Sequence, residues 1–235
     1  KWVEQYHVPS VLYVWQGGME GGGAVADVLC GVVTPSGKLS NTIPIDLEDV
    51  YSTQHFGRKD YNFYQEDIYV GYRYFETFAY DRVLYPFGFG LSYTTFETKT
   101  QRVTLDDHLM SFEVSVTNTG AVSGQEVVQI YVEAPQGKLG KSLRSLVAFK
   151  KTNVLEPSQT QSLTLVVDLK DCASYDDVGV VQAFAFVLEE GVYRFHVGNS
   201  IRHTHVAYEL NLDEVIVLEQ LESACAPVTP FQRIK

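Results

Sequence analysis

Tyr85-Pro86-Phe87-Gly88-Phe89-Gly90-Leu91-Ser92-Tyr93 divides this 235-residue chain into two kinds of sequence, and its rings predict a connector pinned by aromatics. Downstream of it, residues 103–105, 112–117, 126–133, 146–151, 161–167, 183–188 and 191–197 each alternate or run apolar. Turns such as Asn118-Thr119-Gly120 and Glu156-Pro157-Ser158 separate them. Seven short strands in about 100 residues predict an all-β, immunoglobulin-like sandwich. Apolar residues resume over 206–218, and a polar, proline-rich stretch runs on to Lys235, with no periodicity long enough for a domain.

Upstream of the connector the pattern is mixed. Residues 8–15 form an apolar run centred on Val11-Leu12-Tyr13-Val14, which suits a strand buried on both faces of a mainly parallel sheet. A glycine loop follows at once, Gly17-Gly18-Met19-Glu20-Gly21-Gly22-Gly23, and residues 24–29 then have the spacing of a short helix ending at Gly31. Loops at the carboxyl ends of such strands are where α/β domains place their ligand sites. Thr34-Pro35-Ser36-Gly37 reads as a turn, and residues 38–44 alternate like a short edge strand closed by Pro44. Residues 46–85 are crowded with aromatics and keep no clean period, so they predict a long packed excursion of the functional kind.

Composition bounds the function. The chain is 45% apolar, enough for a sizeable core, and carries a formal charge of −11, which argues against nucleic acid or an anionic membrane as partner. No apolar run approaches the roughly 20 residues that span a bilayer, and the first residues have no signal-peptide pattern. Cys30, Cys172 and Cys225 are odd in number and far apart, unlike a disulfide framework or a zinc site, and are expected to be buried reduced thiols. They favour a cytoplasmic setting, with secretion left open.

Four ordered stretches carry a resemblance: Trp15-Gln16-Gly17-Gly18-Met19-Glu20-Gly21-Gly22 with Ala26-Asp27-Val28-Leu29, Pro35-Ser36-Gly37-Lys38-Leu39, Tyr69-Val70-Gly71-Tyr72-Arg73-Tyr74-Phe75, and the connector itself. Together they resemble family 3 glycoside hydrolases, β-glucosidases in particular. Val116-Thr117-Asn118-Thr119-Gly120, Gly124-Gln125-Glu126-Val127-Val128-Gln129-Ile130-Tyr131 and Val197-Gly198-Asn199-Ser200 look like the fibronectin-type module joined to many of these enzymes. The resemblance implies the end of an α/β sandwich domain over residues 1–96, a fibronectin type III-like sandwich over 97–202, and a tail or linker over 203–235. Ala224-Cys225-Ala226-Pro227-Val228-Thr229-Pro230-Phe231 looks like linkers of members in which the catalytic barrel follows the sandwich.

What the resemblance implies for chemistry is retaining hydrolysis of a β-glucoside or oligosaccharide by two carboxylates about 5 to 5.5 Å apart, with no cofactor and no metal. The nucleophile belongs to a (β/α)₈ barrel and the acid/base lies upstream of Glu20-Gly21-Gly22, so no catalytic residue maps here. The chain alone is expected to be inactive, and its partner is the barrel of the same enzyme or of another chain. Homo-oligomerisation is left open. The rival reading is a non-catalytic module that binds carbohydrate or protein.

Tyr61, Tyr64, Glu66 and Asp67 are the candidate substrate-binding residues. Sugar sites need aromatic faces and carboxylates that accept from hydroxyls, and this segment concentrates both; interdomain packing with a solvated acidic patch is the competing account. Glu20 is expected to satisfy backbone N–H groups at a helix start, and Gly21-Gly22-Gly23 to allow close packing of backbone, since no Lys-Ser/Thr follows to make a phosphate site. Arg73 is expected to stack or pair between tyrosines, Trp15 to lie in the core with Trp2 as a less favoured sugar platform, and His203 and His205 to be surface residues.

Overall fold

The computed structural model describes residues 5–224, 229 and 232–234; Trp2 and Cys225 lie outside them. The first expected element is corrected. Residues 8–15 pair with no strand among the described residues, and Val11, Leu12, Tyr13, Val14 and Trp15 are all exposed. A strand buried on both faces needs neighbours on both, and the residues described here supply neither. The helix does form: α1, Gly21–Leu29, begins earlier than residue 24 and buries none of its side chains. Cys30, just after it, is exposed instead of buried, whereas Cys172 is buried as expected.

The edge strand expected over 38–44 shrinks to β1, Ile43–Pro44, paired antiparallel with β2, Val83–Tyr85. Proline has no N–H to extend the ladder. Between these strands the aromatic excursion is more regular than its sequence suggests. It holds 3₁₀ turns at Leu47–Asp49, Tyr51–Gln54 and Tyr80–Arg82, and a helix, α2, Tyr72–Phe78. Helix α2 escaped detection because aromatics ring it. Tyr72 faces Phe87 and Tyr131 while Tyr74 and Phe78 meet Tyr51 and Tyr69, and the polar Glu76 is buried with them, so polar and apolar residues set no clean 3.6-residue period.

Beyond the connector, β3 (Phe96–Asp106), β4 (Leu109–Asn118) and β7 (Thr160–Asp168) form one antiparallel sheet. β11 (His203–Leu212), β10 (Gly191–Ser200), β5 (Val127–Glu133) and β6 (Ser145–Lys151), in that order, form the sheet facing it. Alternation becomes burial: Met110, Phe112, Val114 and Val116 of β4 point inward with Leu163, Leu165 and Val167 of β7, against Ile130, Phe195 and Val197. Phe112 meets Phe195 at 5.7 Å. A small third sheet joins β8 (Ser174–Asp176), β9 (Ala185–Leu188) and β12 (Ile216–Gln220).

The end of the sandwich needs correction. The tail expected from residue 203 begins with β11, which pairs with β10 from Ser200↔His203 to Gly191↔Leu212 and packs Ala207, Tyr208 and Leu210 on the core. As an edge strand with polar residues on its outer face, it reads like a linker. β3 is likewise longer than residues 103–105, because a bulge between Thr100 and Arg102 breaks its alternation. No helix among the described residues is long and apolar enough to cross a membrane.

The connector locks the two parts together. Leu39 N–H donates to Phe89 O at 2.8 Å and Gly88 N–H to Leu39 O at 2.8 Å, while Ile201 N–H reaches Phe87 O at 3.1 Å. Gly88 has φ +79°, and a Cβ there would overlap the Gln129 side chain; one on Gly90 would overlap the Gly37 carbonyl oxygen. Neither backbone can step aside without breaking these bonds. Gly88→Ala and Gly90→Ala are therefore each expected to cost roughly 1–3 kcal/mol. Thermal unfolding of each variant beside Gly18→Ala, where a Cβ meets nothing within 4 Å, checks this; equal melting temperatures for all three would refute it.

The loop between β8 and β9 is built around one carboxylate. Asp176, fully buried, accepts backbone N–H bonds from Val178, Gly179, Val180, Val181 and Gln182 at 2.6–3.3 Å. Burial works to raise its pKa, but the N–H donors of Val181, Val180, Gln182 and Gly179 outweigh it and hold the group below its ordinary 3.8. Its contribution to stability is thus complete above pH 3.8 and is lost as pH falls through the lower folded value. Asp176→Asn should lower the melting temperature by roughly 5 °C at neutral pH, from about 2 kcal/mol of unmatched donors. The difference from wild type should narrow below pH 3.8; a pH-independent difference would show that the charge plays no part.

Candidate functional site

The four candidate residues lie on the segment leading into α2, and the structure gathers three of them into one turn. Asp67 N–H donates to Tyr64 O at 3.3 Å and Tyr69 N–H to Glu66 O at 2.7 Å. Asp67 takes φ +49°, a conformation that aspartate tolerates better than most residues. Tyr69 anchors the turn: it is buried, packs edge-on against Phe78 at 4.7 Å, and its hydroxyl lies where a Cβ on Gly140 would touch it at 3.0 Å. The 134–144 loop beneath is held in turn by buried Glu189, which accepts from Lys138 N–H at 2.6 Å and Leu139 N–H at 3.2 Å and pairs with Lys141. Burial tends to raise the Glu189 pKa, and Lys141 with the two N–H groups brings it below the usual value.

Tyr64 and Asp67 present their side chains outward, while Gln65 and Glu66 are half-buried. Tyr64 is 72% exposed. Glu66 has one carboxylate oxygen, Oε2, shielded from solvent and without a hydrogen-bond partner among the described residues. Asp67 pairs with Arg233 at 3.3 Å, and the side-chain amide oxygen of Gln65 accepts from the Tyr51 hydroxyl at 3.1 Å. Tyr61 sits apart: its hydroxyl accepts from Arg58 at 2.8 Å, and its ring lies 5.3 Å from the same guanidinium and 4.9 Å from Phe63. It is half exposed. The arrangement offers acceptors and aromatic faces for binding polyhydroxylated ligands.

Other candidates resolve differently. Glu20 stands at the N-cap of α1 but makes no side-chain cap bond, so the expected capping role is corrected. Nothing lies within 4 Å of a Cβ built on Gly21, Gly22 or Gly23, which corrects the expected close packing. Trp15 is exposed at φ +56° and meets only Tyr13 edge-on at 4.6 Å among the ring contacts, so it is not core. Arg73 does lie over the Tyr72 ring, at 5.9 Å. His203 and His205, both exposed, bond Asn199 and Thr100, and no cluster of metal-ligating side chains occurs among the described residues.

A groove of about 410 Å³ lies elsewhere, between the edge strands β6 and β7, lined by Ala148, Phe149, Lys150, Thr164 and Val166. It holds no carboxylate and none of the candidates. Sequence reasoning missed Arg58 and Arg233, the two cations that touch the candidate segment. Arg58, three residues before Tyr61, was legible in principle; Arg233 carries no local signal.

Residues 1–93 match the glycosyl hydrolase family 3 C-terminal domain, and residues 126–201 match a fibronectin type III-like domain. A β-glucosidase of Ruminococcus albus is 49% identical over 233 residues, covering 99% of this chain and 24% of that protein. β-Glucosidase A of Butyrivibrio fibrisolvens is 45% identical, covering 97% of this chain and 30% of that protein. Among solved structures, a β-glucosidase from Paenibacillus barengoltzii superposes with a TM-score of 0.96 at 51% identity, covering 100% of this chain and 27% of that one. β-Glucosidase 3B from Thermotoga neapolitana, solved with α-D-glucose, gives 0.79 at 39% identity over 88% of this chain and 28% of that one. The chain thus spans about a quarter of the length of the relatives it matches. It belongs to glycosyl hydrolase family 3, of which it carries the C-terminal domain joined to a fibronectin type III-like sandwich.

Proposed function

We propose that this chain is the sandwich-bearing part of a retaining β-glucosidase that releases terminal β-linked sugars from glucosides or oligosaccharides. The observation that carries the reading is identity of about half, sustained over essentially the whole chain, with proteins named β-glucosidase. The two catalytic carboxylates lie outside these residues. The nucleophile comes from a (β/α)₈ barrel, which in this reading follows the sandwich, and the acid/base comes from the part of the α/β domain preceding residue 1. The exposed apolar run over 8–15 and the uncovered helix α1 support such a completion, because both present surface that an α/β layer would bury.

Within that enzyme, Tyr61, Tyr64, Glu66 and Asp67 line the mouth of the active site and contact a sugar beyond the scissile bond. The exposed Tyr64 ring offers a face for sugar C–H groups, and the Glu66 and Asp67 carboxylates supply acceptors for sugar hydroxyls. No metal or organic cofactor is required, since two carboxylates and water suffice for the chemistry.

The purified 235-residue chain is expected to show no turnover of an aryl β-glucoside. Turnover that disappears in Glu66→Gln or Asp67→Asn would place catalysis inside the segment, and oligosaccharide binding without turnover, retained when a barrel is supplied, would make it a binding module.

In the longer enzyme, Tyr64→Ala and Glu66→Gln should each raise KM for an oligosaccharide about fivefold, from roughly 1 kcal/mol per lost contact, with little change for a substrate lacking the outer sugar. Equal losses on both substrates with a lowered melting temperature would show that the segment only packs.

A further inference from the structure

Three pieces of chain far apart in sequence meet at the candidate turn. Arg233 pairs with Asp67 at 3.3 Å and with Asp177 at 2.6 Å. One residue on, Ile234 N–H donates to Gln65 O at 2.8 Å. Asp177 is not mobile decoration, for it follows Asp176, whose buried carboxylate gathers the backbone of residues 178–182. The guanidinium therefore spans from a turn that is otherwise tied to its surroundings through Tyr51 and Tyr69 to a loop fixed by the sandwich.

We infer that Arg233 is a positioning residue for substrate binding: by bridging Asp67 to Asp177 it fixes the Tyr64–Asp67 turn relative to the sandwich, and so sets affinity for the sugar beyond the scissile bond. This rests on the sugar-binding reading of the turn. Three features support it. The bridged carboxylate belongs to the turn itself, next to Glu66. An Arg fork can hold two carboxylates at once, where a lysine offers a single point charge. The backbone bond from Ile234 to Gln65 brings the guanidinium to the turn in a defined register, so ordering of the long side chain is shared with the main chain. The ion pairs are partly exposed, with side chains 30–39% accessible, so their effect is positional and moderate instead of a determinant of global stability.

The test compares wild type, Arg233→Gln, Arg233→Lys and Glu66→Gln in the full-length enzyme that contains this chain. Hydrogen exchange at the amides of Asp67 and Tyr69 reports the turn, and KM and kcat for an oligosaccharide and for an aryl glucoside report binding. Arg233→Gln should speed exchange at those two amides and raise KM for the oligosaccharide about threefold to tenfold, leaving kcat and the aryl substrate unchanged. Arg233→Lys should recover part of both effects. Unchanged exchange in Arg233→Gln would overturn the bridge. Faster exchange with an unchanged oligosaccharide KM would overturn the positioning role, provided Glu66→Gln itself raises that KM. If Glu66→Gln leaves it unchanged, the sugar reading of the turn fails, and the positioning role fails with it, while the exchange data still report on the bridge separately.

Discussion

A buried lysine and a buried glutamate from opposite sides of the connector hold this chain together. Lys38 Nζ lies 2.7 Å from Glu126 Oε1, with the two side chains 11% and 6% exposed, and donates to Gly90 O at 3.1 Å. Both glutamate oxygens are occupied, Oε1 by Val127 N–H at 2.7 Å and Oε2 by Asn199 at 3.0 Å. Such a pair adds little net stability over an apolar replacement, but removing one partner strands the other and costs about 3–5 kcal/mol. Its value here is geometric. The ammonium, the Gly90 carbonyl and the Asn199 amide fit only one placement of the family 3 domain on the sandwich. Gln129 repeats the logic a short distance away, donating to Asn199 O at 2.7 Å and accepting from Tyr131.

From that junction, rigidity passes outward by ring packing and then by ion pairs. Tyr72 fits against Phe87 of the connector at 4.5 Å, and its hydroxyl accepts from Leu146 N–H at 2.9 Å, which seats α2 on β6. Arg202 closes the other side of the helix, bonding Glu76 at 2.9 Å and lying 3.6 Å from the Tyr80 ring. Glu76 is buried, so an aromatic-rich helix of only seven residues, too short to persist alone, is fixed by tertiary contacts at both ends. The candidate turn precedes this helix and inherits its placement through Tyr69.

The sandwich was legible in the sequence because its strands obey a period of two and its turns carry Gly, Asn and Pro at the expected places; Phe112, Val114 and Val116 announce their face. The family was legible because Lys38, Gly88 and Gly90 sit in motifs whose residues turn out to form the junction. What was not legible depended on partners. The run over residues 8–15 has strand composition but no neighbouring strand among the described residues. Helix α2 was hidden because rings and a buried glutamate share its surface, and β11 because an edge strand looks polar. In the candidate segment, Tyr64, Glu66 and Asp67 were singled out by residue type. Arg233 was not, since a contact closed across the whole length of the chain leaves no local pattern.

The ion pairs of the molecule divide by depth, and the division follows what each must do. Lys141–Glu189 is buried and Lys38–Glu126 nearly so, each is held by further hydrogen bonds, and both are screened by salt less than the exposed pairs. The contacts on the candidate segment, Arg58 with Tyr61 and Arg233 with Asp67 and Asp177, lie where water and ions reach them. Beneath the exposed Tyr64, Tyr69 is buried and the loop under it is held by Glu189. With 29 acidic and 18 basic residues, cations are the scarcer charge, and Arg233 sets one of them between Asp67 and Asp177, where the two carboxylates would otherwise repel each other.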